Sequence, residues 1–497
     1  MNKLATIVSL VVLTLYLGYG CVGFWRVVDK GMLPCWTDEF LYQADTRYFI
    51  DNVSLVSGMT INESYSPIGE FGVHSFAYTL YDGIFATLFT SSISNAIVYA
   101  NLFAVLLGIV IIFSLPRITI TDKSIWSALI ISSYTALFYG FTYMQESIQI
   151  PIAVVASYLI YRIYAEERRT QKWIFLYVVL ILIASLFRIN WVVWLIAFLP
   201  LMRDIGRKVA FLFVFSMVIF LAFLVMRLIY APYPLGFLAS LVTTFTESGL
   251  IKAIELIASN FTYNIKSYLS PLHDPDWFYT YSKYVLLVIL VLFYSWAGKR
   301  IKRSYDALFS IILVNIFLIF LVYDAWDYRE IRTLAPLLVA SFGMILFHKK
   351  YTVAFIFLAV QCMFATVLYD YVEKNIEQRI AQKVAYEESV KLRVAFAEIA
   401  QKVTGTDKIT VLLSGSFTGD YKLYQLCLPF ISFNNIPIRY SINYRDGLEV
   451  NPEKLDYVIS QVMLRDNKDH LLVHKTPFYY LYKVNRYATH IQTFKEY

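Results

Sequence analysis

The chain has 497 residues, of which 58% are hydrophobic and 16% charged, with a mean hydropathy of +0.57. That composition excludes a soluble globular protein and indicates a polytopic membrane protein. The net charge of +7 does not mark a nucleic-acid binder. Its Lys and Arg fall in short loops between apolar runs, and no basic stripe is interleaved with aromatics.

The first apolar run, residues 4–25, is longer than the core of a cleaved leader, and "LGYGC" is a poor cleavage site. It reads as a retained first span. Runs at 95–115, 209–226, 305–323 and 351–369 are each long enough to cross a bilayer. Residues 73–89 read as a short or partly inserted segment, because 73–115 must cross an odd number of times. The stretch 173–202 is flanked by basic loops, so it must leave and return as two short helices broken near "FRIN", 187–190. A break at membrane depth is tolerated where it lines a protein cavity.

Basic loops at 116–123, 166–172, 203–208, 298–303 and 348–350 set these segments on the cytoplasmic side. The N-terminus then lies inside, and the part after residue 370 lies outside. Residues 371–407 carry apolar positions at helical spacing among charges and read as an amphipathic connecting helix. Beyond them, "DKITVLLSGS" and "LDYVISQV" read as strands, "YKLYQLCLPF" as a helix between them, and "LLVHKTPFYYLYKVN" as a strand or hairpin. The expected architecture is an α-helical polytopic membrane domain over 1–370 with about 11–13 spans, followed by a small soluble α/β domain over 408–497. The four cysteines have no metal spacing. Cys21 and Cys362 fall in spans. Cys35 and Cys427 are able to pair in an oxidising compartment.

Polar residues near the outer span ends are chemically rich. Asp38, Glu39 and Asp45 follow the first span, and Glu70 and His74 lie in "GEFGVHSF". Glu146 stands between two apolar runs with almost no other charge nearby, which points to function. Arg188 sits in the 187–190 break, either snorkelling to the interface or clamping an anion. Arg329 and Arg332 are one turn apart. They either balance Asp327 and Glu330 or face one anion together. "HDPDW", 273–277, has no spacing that singles out a metal. Acids and arginines in one membrane-level cavity suit a lipid-linked phosphosugar. Arginines hold the departing phosphate while a carboxylate takes the proton of an attacking hydroxyl.

The chain resembles the polyprenyl-phosphate-sugar glycosyltransferases of the GT-C fold. These include protein O-mannosyltransferases, lipid A aminoarabinose transferases and phage-type O-antigen glucosyltransferases. "WTDEFLYQAD" resembles the family's acidic motif after the first helix, which implies Asp38 as the base with Glu39 behind it. "FTYMQESIQIPI" resembles the segment with a second acid opening a span, which completes the catalytic set with Glu146. "SLFRINW" and "YREIRTLAPLL" resemble its basic segments, which implies donor-phosphate binding by Arg188, Arg329 and Arg332. "GEFGVHSF" occupies the place of a His/Lys-Pro-Pro-Leu motif without its prolines, and implies substrate-binding roles for Glu70 and His74. The resemblance implies an undecaprenyl phosphate-linked donor, a glycan or lipid-linked acceptor such as O-antigen of lipopolysaccharide, and a periplasm-facing site in a bacterial inner membrane. Some members of the fold use a divalent cation and others do not. Two alternatives stay open: a transporter or flippase of lipid-linked glycans, and a polymerase or ligase of surface polysaccharide.

Overall fold

The structure is a computed structural model. It describes residues 2–30, 37–57, 59–61, 71, 75–89, 93–166, 170–229, 237–269, 303–322, 331–381, 391–392, 409–414, 432–433, 436–442, 456–460, 463, 470–477 and 479–484. Glu70, His74, Arg329, Cys35, Cys427, the 273–277 run and the helix expected at 421–430 lie outside these residues.

The membrane part begins with α1 (Asn2–Lys30), α2 (Thr37–Asn52), α3 (Phe76–Phe89), α4 (Ile93–Ser114), α5 (Ile120–Ile131) and α6 (Tyr134–Tyr139). A tight turn at Gln145–Ile148 leads into α7 (Gln149–Ala165), then α8 (Thr170–Phe187) and a 3-10 helix at Ile189–Leu201. There follow α9 (Ile205–Ile229), α10 (Phe237–Leu269), α11 (Arg303–Val322), α12 (Ile331–Phe347) and α13 (Tyr351–Ala381). Among the described residues, six helices are long and apolar enough to cross a membrane, and α13, bent by 45°, makes a seventh. This is an integral membrane protein. At 14 residues α3 is too short to span, whereas α4 is one of the six.

Burial separates the helices by role. The α7 span is 78% buried, against 17% for α1 and α8 and 6% for α9. α7 therefore runs through the middle, packed on α4, α8, α11 and α12, while α9 presents Phe213, Phe220 and Leu221 outward as a lipid-facing helix would.

The 173–202 stretch forms two helices of different type. α8 has 18 residues, about 27 Å at α-helical rise. The 3-10 helix has only 13, but at about 2.0 Å per residue it extends roughly 26 Å. The two lie side by side: the Tyr177 hydroxyl donates to the Trp194 carbonyl at 2.8 Å, and its ring meets Phe198 edge-on.

The basic loops gather at one end of the bundle. Lys349 pairs with Asp122, Arg117 with Glu166, and Ser304 hydrogen-bonds His348 at 3.0 Å. Lys208 is within electrostatic reach of Asp306.

The C-terminal strands are β2 (Ile409–Ser414), β3 (Ser432–Phe433), β4 (Ile436–Ile442), β5 (Tyr457–Ser460), β6 (His470–Lys475) and β7 (Tyr480–Val484). The sheet order is β1-β4-β2-β5-β7-β6, with β3 on β4. β4, β2 and β5 are parallel, whereas β5, β7 and β6 are antiparallel. Its far edge, β1 (Met59–Ile61), comes from the loop after α2 and pairs in parallel with β4. The C-terminal sheet is thus tied to the segment that follows the acid-bearing helix α2. Beyond its bend α13 continues to Ala381, with Val372 and Ile376 buried.

Candidate active site

α2 opens with Asp38 and Glu39 in its first turn, where a helix N-terminus stabilises carboxylates. Asp38 is half-buried and Glu39 is wholly buried. Glu39 uses both oxygens. Oε1 accepts the Tyr143 backbone N–H at 2.9 Å, and Oε2 accepts the Arg379 guanidinium at 2.8 Å. Arg379 is also wholly buried, and its Nε donates to Asn375 Oδ1 at 3.0 Å. Glu39 therefore joins α2 to α13 and to the segment before Glu146.

That segment is pinned residue by residue. The Thr142 carbonyl accepts Asn101 Nδ2 at 2.6 Å, and the Tyr143 N–H is held by Glu39. The Met144 carbonyl accepts the Tyr78 hydroxyl at 2.8 Å, and Gln145 Nε2 donates to the Tyr42 hydroxyl at 2.5 Å. Tyr42 and Tyr78 meet edge-on at 5.0 Å. α3 approaches α2 closely because Gly83 has no side chain to strike the Phe49 ring. Irregular backbone inside an apolar bundle needs this complete accounting of its hydrogen bonds. The result is a fixed position for Glu146, which is wholly buried in the turn that starts α7.

Glu146 faces Arg188, with Nη1 and Oε1 3.5 Å apart. Arg188 is the break itself. Its backbone is extended (φ −152°, ψ 120°), yet its N–H still reaches the Ala184 carbonyl at 3.0 Å. Ser75 hydrogen-bonds the Leu186 carbonyl, so the chain immediately after His74 abuts this break. Beside Arg188 lies a small notch lined by Gln149, Asn190, Trp191, Trp194 and Asn315, with Pro336 of α12 at its edge. Pro336 is one turn beyond Arg332, whose backbone belongs to the first turn of α12.

Asp45 sits two turns after Asp38 on α2, almost fully buried, and accepts the Ser57 hydroxyl at 2.8 Å. Burial pushes its carboxyl up to about 6, and the Ser57 bond only partly offsets that rise. Among the described residues no three metal-ligating side chains gather at one point.

The structure thus links Glu39, through the segment it holds, to Glu146 and Arg188, with Asp38 next to Glu39 in the first turn of α2. Arg379 and Gln149 belong to the same neighbourhood and were not singled out from sequence. The charge pattern "EQRIAQK" hides Arg379 among ordinary helix charges.

The fold is similar to that of a solved structure across nearly the whole chain. The crystal structure of ArnT from Cupriavidus metallidurans bound to undecaprenyl phosphate aligns with a TM-score of 0.52 at 10% identity, covering 94% of this chain and 97% of that one. The fold is GT-C. The apo structure of the same ArnT aligns with a TM-score of 0.43 at 12% identity, covering 95% of this chain and 98% of that one. No protein-family model matches the sequence, and no curated protein matches it. The likeness is therefore one of three-dimensional arrangement.

Proposed function

We propose that this GT-C chain is a glycosyltransferase that moves a hexosyl group from an undecaprenyl phosphate-type donor to a hydroxyl of a cell-surface glycan such as O-antigen. The reaction would take place on the periplasmic face of a bacterial inner membrane, with the N-terminus cytoplasmic and the C-terminal sheet outside. One observation carries the reading: an acid-bearing helix after the first span is locked through Glu39 to the segment that presents Glu146 against Arg188. The ArnT structure with the same fold was solved with undecaprenyl phosphate bound, which supports the lipid class of the donor.

In this reading Asp38 takes the proton of the acceptor hydroxyl while the new bond forms at the anomeric carbon. The bond from that carbon to the phosphate oxygen breaks, and the lipid phosphate departs with the negative charge. Arg188, joined by Arg329 and Arg332, stabilises that charge in a site where water competes little. Glu146 orients the acceptor and holds Arg188 when no donor is bound. Glu70 and His74 bind the substrate.

The test is a transfer assay. Purified protein is incubated with a panel of polyprenyl-phosphate sugars and acceptor glycans, and products are followed by mass spectrometry. Acceptor-dependent loss of sugar from one donor is expected, and Asp38→Asn should lower its rate by about 10²–10⁴-fold. Intact donors across the panel would shift the reading to a flippase, which a flux assay in liposomes would then detect.

A further inference from the structure

The notch beside Arg188 contains an unmet hydrogen-bonding group. Gln149 is almost fully buried, and its Nε2 has no hydrogen-bond partner among the described residues. A buried amide left without partners is destabilising, and native proteins retain few of them. Across the notch, Asn315 commits its Nδ2 to the Ile311 carbonyl at 2.8 Å, which leaves Oδ1 as the acceptor it brings. The remaining wall is formed by Asn190, Pro336 and the Trp191 and Trp194 rings, which lie 4.5 Å apart. The free volume is about 10 Å³, the size that admits one water or one hydroxyl.

A sugar hydroxyl satisfies both groups at once, accepting from Gln149 and donating to Asn315. Arg188 lines the notch and also faces Glu146 at 3.5 Å. On a glycosyl phosphate, the substituent nearest the phosphate is the one on the carbon next to the anomeric centre. We propose that Gln149 determines donor specificity by reading a free hydroxyl at that carbon, and that the notch excludes an acetamido group there. The assignment rests on the reading above, in which Arg188 holds the donor phosphate.

The substitution Gln149→Met keeps the side-chain volume and removes the donor, so it tests the idea without opening a cavity. For the sugar that the wild type transfers, kcat/KM should exceed that of its 2-deoxy analogue by at least about 10²-fold. Gln149→Met should bring the two within a few fold by losing rate on the hydroxylated donor alone. Its melting temperature without donor should equal or exceed that of the wild type. Gln149→Ala should admit 2-acetamido donors that the wild type rejects. An unchanged hydroxyl-to-deoxy ratio in Gln149→Met overturns the proposal and leaves the notch as a water site, while the transferase reading stands. A marked fall in melting temperature, or a wild type that prefers an acetamido donor, also overturns it. No transfer from any donor would remove the transferase reading and this assignment together.

Discussion

The two ends of the bundle both hold ion pairs, but the pairs have different physical settings. At the basic end, Glu166 receives Arg162, Arg117 and the Trp173 Nε1–H, and Arg117 is 71% exposed. The Arg162 hydrogen bond, aided by Trp173 and the nearby charges, holds the Glu166 carboxyl down to about 2. At the acid end, Glu39 and Arg379 are both 0% exposed. Water can replace Arg117 at the first end and can replace neither partner at the second. The basic end closes loops, whereas the acid end fixes the relative positions of α2, α13 and the turn carrying Glu146.

The sharpest test of that contrast is Arg379→Ala. It leaves Glu39 charged and buried, and should destabilise the protein by about 3–5 kcal/mol in a detergent melt. Arg379→Met combined with Glu39→Met should recover much of that loss, because the pair is removed whole. If the single and double variants are equally unstable, the contribution is packing rather than charge.

Next in size is the pH dependence of Asp45. Its folded pKa, about 6, lies above its unfolded value near 3.8. The folded state therefore binds the proton more tightly, and stability falls as pH rises from about 4 to about 6. Asp45→Asn should be more stable than wild type at pH 7.5, by an amount on the order of 3 kcal/mol. That gain should shrink through pH 6 and vanish near pH 4. A pH-independent difference would mean that Asp45 titrates normally.

In the proposed reading, Arg188→Ala removes a charge-assisted contact to the donor phosphate and should weaken donor affinity by roughly 1.5–3 kcal/mol, read by donor titration. The smallest effect belongs to the basic end. Arg117→Ala should change stability by less than about 1 kcal/mol, less still in high salt. A large loss there would erase the distinction between the ends.

Much of the membrane architecture was legible because span length and charge placement are local properties. The first span, the runs near 95–115, 209–226 and 305–323, and the break at Arg188 all have counterparts in α1, α4, α9, α11 and the α8 to 3-10 junction. Strands at "ITVLLS" and "YVIS" were legible from β-branched and aromatic runs. Asp38, Glu146 and Arg188 were found because charge beside apolar runs is conspicuous. β1 was not found: three residues of a loop become a strand only because β4 offers an edge.

By itself, the sequence determined that the chain spans a membrane, where its basic loops fall, and which isolated acids and arginines merited attention. Hydrophobic length and charge asymmetry act over a few residues, so they can be read along the chain. Only the tertiary structure decided that Glu39 faces inward to Arg379, 340 residues away, that four consecutive residues before Glu146 are each held by a different side chain, and that Gln149 borders a notch with its Nε2 unpartnered among the described residues. Those facts depend on which helices meet in space, and a buried polar group reveals its role only through the partners it finds there or lacks.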